Sequence, residues 1–358
     1  MVDDERIMLS HGAGGRVMQE LISSRFLNHL EPLCDEMKSS KIEVPLGAMD
    51  DGAVIDGIVF TTDSHTVKPL FFPGGDIGSL SVAGTVNDVA VMGADPLALS
   101  LAMVIENGYS ISELERIVES IARTCELAQV PIITGDTKVV ENGAIDKMVI
   151  NTSGIGRRSE WLDGNFDTVR EHRDFKGNWL QDSNLSEGDS IIVTGTMGDH
   201  GIALLSFREG YQFSSEIISD VAPLNKLIED SLKVGGVVGM KDPTRGGLAN
   251  NLNEMAEKSK LGILIHEEAV PIMSGVQSAC EMLGLDPLEI GNEGKVVMGV
   301  VPGLAQEVLE AIKRRPEGKD AMIIGTATRS VRGVVMKTVI GGKRMVEAPI
   351  GDPIPRIC

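Results

Sequence analysis

The sequence predicts an α/β protein with α+β character, built as two domains with mixed sheets. Three observations carry that expectation. The chain has 358 residues, more than one ordinary core organises. From about residue 42 strand and helix patterns alternate, and after a break at 159–185 the alternation starts again. Apolar residues make up 42% of the chain and aromatics only 3%, so the cores are built from Val, Ile, Leu, Met and Ala. The boundaries that follow are a Gly-rich loop and helix over 1–41, a first domain over 42–158, a linker or insertion over 159–185, a second domain over 186–348 and a tail over 349–358.

The elements read in chain order. "RVMQELISSRFLNHL" has helical spacing, and "GIVFTTDSHTV" is a strand that ends in polar groups. "GGDIGSLSVAGTVNDVAVMGA" is a helix of small residues suited to close packing on a sheet, and "LALSLAMVIE" is a buried strand. "SISELERIVESIARTCELAQV" is a helix, with Ser110 and Glu113 at capping-box spacing and a stripe of Leu114, Ile117, Val118, Ile121, Ala122 and Cys125. Pro131 ends it, and "PIITGDTKVV" and "DKMVINTSGIG" return as strands. Residues 159–185 are polar and show no period, although they hold both tryptophans. "DSIIVTG" then restarts the pattern. From Leu261 the order is β-α-β-α-β, and "VVMKTVIGGKRMVEA" is a closing hairpin with a Gly-Gly turn.

The net charge of −19 argues against nucleic acid and anionic membrane as partners and suits acidic side chains that bind cations. The acidic start "MVDDERIM" has no apolar segment of a signal peptide, and no charge-free apolar run reaches the length of a membrane span. The four cysteines are far apart without a C-x-x-C pair, which points to a reducing cytoplasm.

Aspartates recur beside small or polar neighbours where strands should end: "MDDGAV" (Asp50, Asp51), "TTDSH" (Asp63), "VNDVA" (Asp88), "GDTK" (Asp136) and "KDPTRGG" (Asp242). Any one of them serves as a cap or turn residue. Five such motifs in one chain point to a cleft that holds Mg²⁺ together with phosphate. "SHGAGGR", from Ser10 to Arg16, is either a plain loop or a lid over phosphate oxygens; it does not fit the dinucleotide or P-loop patterns. Lys138 beside Asp136 is either solvated or a partner for phosphate. Glu293 in "GNEGK" is a turn carboxylate or a general base, His65 a proton donor or acceptor, and Arg245 an anion ligand. The chain closes with "GDPIPRIC", a proline-spaced arm that ends in Cys358. Such an arm can be loose, or it can carry a reactive thiol across about 30 Å.

Together, "SHGAGG", "DDGAV", "TTDSHTVKPLFFPGGDIGSL", "GTVNDVAVMGADP", "GDTKVV", "DPTRGGLA", "GNEG" and the closing "PRIC" resemble the HypE family of hydrogenase maturation factors, which are carbamoyl dehydratases. The resemblance runs in order over nearly the whole chain, with 159–185 unplaced. It implies a two-domain fold similar to aminoimidazole ribonucleotide (AIR) synthetase, a homodimer joined through the N-terminal domain, and ATP with Mg²⁺ between the domains. It implies that the carbamoyltransferase HypF loads a carbamoyl group on the Cys358 sulfur, that ATP-driven dehydration makes a thiocyanate, and that the HypC–HypD complex receives the cyanide. Asp51, Asp63, Asp88 and Asp242 would hold metal. Asp136, Asp50, Thr62 and Arg245 would hold nucleotide under a lid that contains His11, Gly12, Gly14 and Gly15. Glu293, Lys138 and His65 would handle protons, with the base role given to Glu293. Two other readings remain open at this point: an ATP enzyme of the same fold acting on a free small molecule, and a non-catalytic thiol-bearing scaffold.

Overall fold

In a computed structural model, residues 6–36, 41–211 and 217–351 are described. Cys358 and the end of the expected arm lie outside the described residues. The first half supplies strands β1 (Ile42–Val44), β2 (Ala53–Ile55) and β3 (Ile58–His65), and a small ribbon of β4 (Phe71–Phe72) and β5 (Gly75–Asp76). Strands β6 (Ala94–Glu106), β7 (Ile132–Val140) and β8 (Met148–Arg158) follow. The main sheet has the order β1-β2-β3-β8-β6-β7. Only β6 and β7 run parallel, because the helix Ile111–Ala128 carries the chain back between them.

Strand β3 alternates in burial, and that alternation decides where its side chains go. Val59, Thr61 and His65 are buried on the face covered by the helix Ile77–Val91, where half-buried Asp63 also belongs, whereas Phe60, Thr62 and Ser64 are on the opposite, open face. The helix begins at Asp76, whose carboxylate accepts from the Gly78 and Ser79 amides at 2.8 and 3.0 Å. Its small residues allow two close approaches. A side chain at Gly78 would meet the Ile117 carbonyl, and one at Gly84 would press on the His65 ring. The expected stripe on Ile111–Ala128 is rotated: Ile117, Ser120, Ile121, Thr124 and Ala128 are buried, while Val118 is exposed. Ser110 caps that helix alone, by accepting from the Glu113 amide at 3.5 Å.

The second half supplies β9 (Ser190–Val193), β10 (Val237–Lys241), β11 (Gly262–His266), β12 (Val297–Val300), β13 (Met322–Thr328), β14 (Val334–Lys337) and β15 (Lys343–Val346). They form one mixed sheet in the order β10-β12-β9-β13-β11-β14-β15, with β11 and β14 parallel. β14 and β15 make the expected hairpin, and Gly341 has φ +84° in its turn. Among the described residues no helix is long and apolar enough to cross a membrane.

Residues 159–185, read as a polar linker or insertion without period, carry regular structure. Leu162–His172 is a helix whose Leu162, Phe166 and Val169 are fully buried, and Trp179 and Leu180 follow them into the core. The spacing 162, 166, 169 is a helical stripe; the polar residues between its members hide it in the sequence. One apolar cluster runs from Val44, Val54 and Val59 through Leu162, Phe166 and Trp179 to Ile191–Val193 and Val297, so the segment cements the two halves.

Candidate active site

A cleft of ≈ 520 Å³ opens between the halves. One wall is β3 with the helix Ile77–Val91; the other is the 242–245 loop, the helix Gly247–Ser259 and Glu293. Asp51, Asp63, Asp88 and Asp242, the four expected metal ligands, all line it. The charges of this set raise the carboxyls of Asp88 and Asp242. Burial raises the Asp88 carboxyl well above the usual carboxylate range, and the charges of Asp242, Asp63 and Asp51 add to the rise. Burial, then Asp51 and Asp63, push Asp242 up to about 8 against the pull of Lys241 and Arg245. Asp51 is pushed up to about 6, chiefly by burial, despite its ion pair with Lys241.

The remaining expected residues divide into three groups. Glu293, Arg245, His65, Gly12, Gly14 and Gly15 also line the cleft. Glu293 is half-buried among acids: burial, then Asp242, Asp63 and Asp220, raise its carboxyl well above the usual range. A raised carboxyl pKa suits a group that exchanges protons in the cleft. Arg245 Nη2 is 3.4 Å from Asp63 Oδ1. The His65 ring is 5% exposed; burial lowers its pKa although Asp63 Oδ2 is 3.6 Å from Nε2. Its Nε2 is also 3.2 Å from Thr152 Oγ1, a hydroxyl shared with the Ser81 carbonyl at 3.0 Å and with Thr85 Oγ1 at 2.5 Å.

Asp50 and Thr62 touch the cleft but have other partners. The Asp50 oxygens are engaged by Lys258 Nζ at 3.0 Å and Gln181 Nε2 at 2.9 Å. The Thr62 hydroxyl is on the open face of the sheet, where it accepts from Ser153 Oγ at 3.0 Å. His11 Nδ1 accepts from the Met8 amide at 2.9 Å and ties the turn before the glycines; it does not line the cleft.

Asp136 and Lys138 are not brought to the cleft of their own chain. They are exposed on β7, the edge strand. The register Ser64–Asn151–Ala102–Asp136 places Asp136 three strands from β3, about 14 Å away, on the same open face as Thr62.

Sequence reasoning missed the buried charges that hold the carboxylates in place. Lys241 Nζ stands 2.9 Å from Asp51 Oδ1, 3.2 Å from Glu254 Oε2 and 3.5 Å from Asp182 Oδ2. Burial alone would lower its pKa, but the three carboxylates outweigh burial and raise it. Gln19, from the helix after the glycine loop, donates to Glu254 Oε1 at 2.7 Å and joins that loop to the network. A lysine that ends the apolar strand β10 was the one signal available for Lys241; Asp182 had none.

The C-terminal arm begins at the rim of this cleft. Gly15 (φ +68°) leaves no room for a Cβ against the Pro349 carbonyl, and a Cβ on Gly246 would be 3.0 Å from the Pro349 ring. The glycines of "SHGAGGR" are thus needed partly for the arm. At Gly14 (φ +82°) a Cβ would meet the Arg245 Cβ at 2.9 Å.

Comparison with known proteins places this arrangement. Residues 49–158 match the AIR synthase related protein N-terminal domain, and residues 186–337 match the AIR synthase related protein C-terminal domain. A putative hydrogenase expression/formation protein of Methanocaldococcus jannaschii is 51% identical over 99% of this chain and 100% of its own. A carbamoyl dehydratase HypE of Rhizobium leguminosarum bv. viciae is 44% identical over 100% of this chain and 96% of its own. Among solved structures, a HypE–HypF complex aligns with TM-score 0.81 at 43% identity over 94% of this chain and 100% of that chain. The hydrogenase maturation protein HypE in complex with ATP aligns with TM-score 0.77 at 40% identity, over 99% and 100%. The chain belongs to the HypE family of hydrogenase maturation proteins, within the AIR synthase related proteins.

Proposed function

We propose that this protein uses ATP to dehydrate a carbamoyl group carried on its own Cys358 thiol. The amide oxygen of S–C(=O)NH2 attacks the γ-phosphorus of ATP and ADP leaves. The C–O bond then breaks with loss of inorganic phosphate and the two amide protons, giving S–C≡N. Oxygen leaves as phosphate, a far better leaving group than oxide. The observation that carries the reading is the root of the arm, packed on the glycine loop at the rim of the carboxylate cleft. From Gly351, seven further residues reach about 23 Å when extended, enough to enter that cleft.

The chain's own residues supply binding and proton handling. Gly12, Gly14 and Gly15 line the cleft beside Arg245, where a triphosphate would be shielded from water. Glu293 would handle the amide protons, accepting one once the charges of Asp63 and Asp242 are compensated. Among the described residues no three His, Cys, Asp or Glu side chains converge closely enough to hold a metal ion by themselves. Four mutually repelling carboxylates still suit Mg²⁺, which takes few carboxylates and completes its shell with phosphate oxygens. Asp51, Asp63, Asp88 and Asp242 would hold it, and when bound it would neutralise the triphosphate.

Asp136 and Lys138 would serve a partner's cleft. They share the open face of the sheet with Phe60, 47% exposed, and Ile155, and a homodimer formed there would bury that apolar area and carry them across. The HypE–HypF complex supports a HypF-type carbamoyltransferase as the source of the group. A HypC–HypD complex would receive the cyanide for a hydrogenase iron.

The test is intact-mass measurement after incubation with the carbamoyltransferase and MgATP. The carbamoylated chain should lose the mass of one water, and Cys358→Ala should form no adduct. A carbamoyl mass that persists with ATP present overturns the reading. Full ATP-dependent turnover of a free substrate by a chain lacking residues 352–358 would favour the free-substrate alternative.

A further inference from the structure

Glu293 is held by a segment that the reaction described above does not use. Its amide donates to Asp220 Oδ1 at 3.0 Å, and the Asp220 side chain is only 3% exposed. Lys295 Nζ is 3.2 Å from Asp220 Oδ2, but off the hydrogen-bonding direction, so Oδ2 has charge compensation without a hydrogen bond. Gly294 leaves no room for a Cβ against the Asp220 carbonyl, which fixes the loop tightly to this segment. The other side of the loop is tied as well. The Asn292 amide donates to the Pro243 carbonyl at 2.9 Å, and Asn292 Oδ1 accepts from the Gly198 amide at 2.8 Å.

The same segment reaches the opposite wall of the cleft. Asn87, which precedes Asp88, donates through Nδ2 to the Ala222 carbonyl at 3.1 Å and accepts from the Leu224 amide at 2.7 Å. The Ser219 amide donates to the Pro73 carbonyl at 2.8 Å, and Ser219 Oγ is 2.7 Å from Nδ1 of buried His200. Residues 219–224 therefore join the helix that carries Asp88 to the loop that carries Glu293. Asp199, whose Oδ1 has no hydrogen-bond partner, is a further acid in this cluster.

We infer that Asp220, with its charge balanced by Lys295, is a positioning residue that sets Glu293 against the reacting amide. The inference rests on the role given to Glu293 above. A charge-assisted hydrogen bond to a backbone amide fixes the loop more firmly than a neutral one, and the buried carboxylate requires a cation. Displacing a reacting group by about 1 Å can cost on the order of 100-fold in rate while substrate binding is kept.

The experiment uses full-length chain, carbamoylated on Cys358, and follows loss of water by intact mass in single turnover. ATP affinity is measured separately by calorimetry, and folding by thermal unfolding. Asp220→Ala is expected to slow dehydration by about 10- to 100-fold with ATP affinity unchanged. The double variant Asp220→Asn with Lys295→Met keeps an acceptor for the Glu293 amide and removes both partners of the ion pair, so it should recover part of the rate. A purely structural role would lower thermal stability and ATP affinity together without such recovery, and that result overturns the inference. So does wild-type dehydration by Asp220→Ala. Glu293→Gln is the control: if it dehydrates normally, the role of Glu293 itself is wrong, whereas a dead Glu293→Gln beside a fully active Asp220→Ala defeats only the positioning inference.

Discussion

At the scale of single residues, burial and neighbouring charges raise the carboxyls of Asp51, Asp88, Asp242 and Glu293 in the cleft. Asp242 has its carboxyl pushed up to about 8, against 3.8 ordinarily. Between those values the folded chain keeps a proton that the unfolded chain has lost, so stability falls as pH rises through this window. Asp51, at about 6, acts in the same direction. His200 acts oppositely: burial lowers its pKa to about 4, so it removes stability as pH falls below about 6.5. Replacing Asp242 by Asn should therefore raise the melting temperature of the nucleotide-free, metal-free protein at pH 8, by an amount worth a few kcal/mol, and by clearly less at pH 5. Calorimetric scans of the two proteins across that range check this. An equal shift at both pH values would mean that the charge of Asp242 is already compensated in the fold.

At the scale of elements, the segment 159–185 carries more weight than its composition suggests. Its helix Leu162–His172 buries Leu162, Phe166 and Val169 completely. Trp179 Nε1 donates to Glu43 Oε2 at 3.1 Å, and Asn165 exchanges hydrogen bonds with the backbone of Val237 at 2.7 and 2.8 Å. The segment thus holds β1 of one half and β10 of the other, and β10 leads directly into Asp242. Phe166→Ala should cost about 3–5 kcal/mol of stability, read from urea unfolding. Because β10 is one of the strands it secures, ATP affinity should weaken in the same variant. A loss below about 1 kcal/mol would show that the contact is dispensable.

At the scale of the whole molecule, the homodimer proposed above would use the open face of the first sheet. The open face shows apolar Phe60 and Ile155 beside a polar row of Thr62, Ser153 and Asn151, with Asp136 at its edge. Phe60→Glu should convert a dimer into a monomer, measured by light scattering after gel filtration, and should abolish dehydration. A second outcome follows if Lys138 acts across the interface. Lys138→Ala and Asp88→Ala should each be inactive alone, yet mixing them should regenerate one intact site per heterodimer and part of the rate. If mixing restores nothing, Lys138 does not reach the partner's cleft.

Local pattern was enough to find the alternating strands and helices, the restart after residue 185, the closing hairpin, and aspartates of the type that meet at strand ends. Period and residue chemistry are properties of neighbours in the chain, so they can be read there. The sequence by itself could not show that Asp63 faces the helix while Thr62 faces away, that Asp136 and Lys138 lie three strands off, or that Lys241 is buried against Asp51, Glu254 and Asp182. Nor could it show Pro349 seated on Gly15. Those facts depend on sheet order and on which distant charges are brought into one low-dielectric space, where Asp63 raises the Glu293 carboxyl from 230 positions away in the chain.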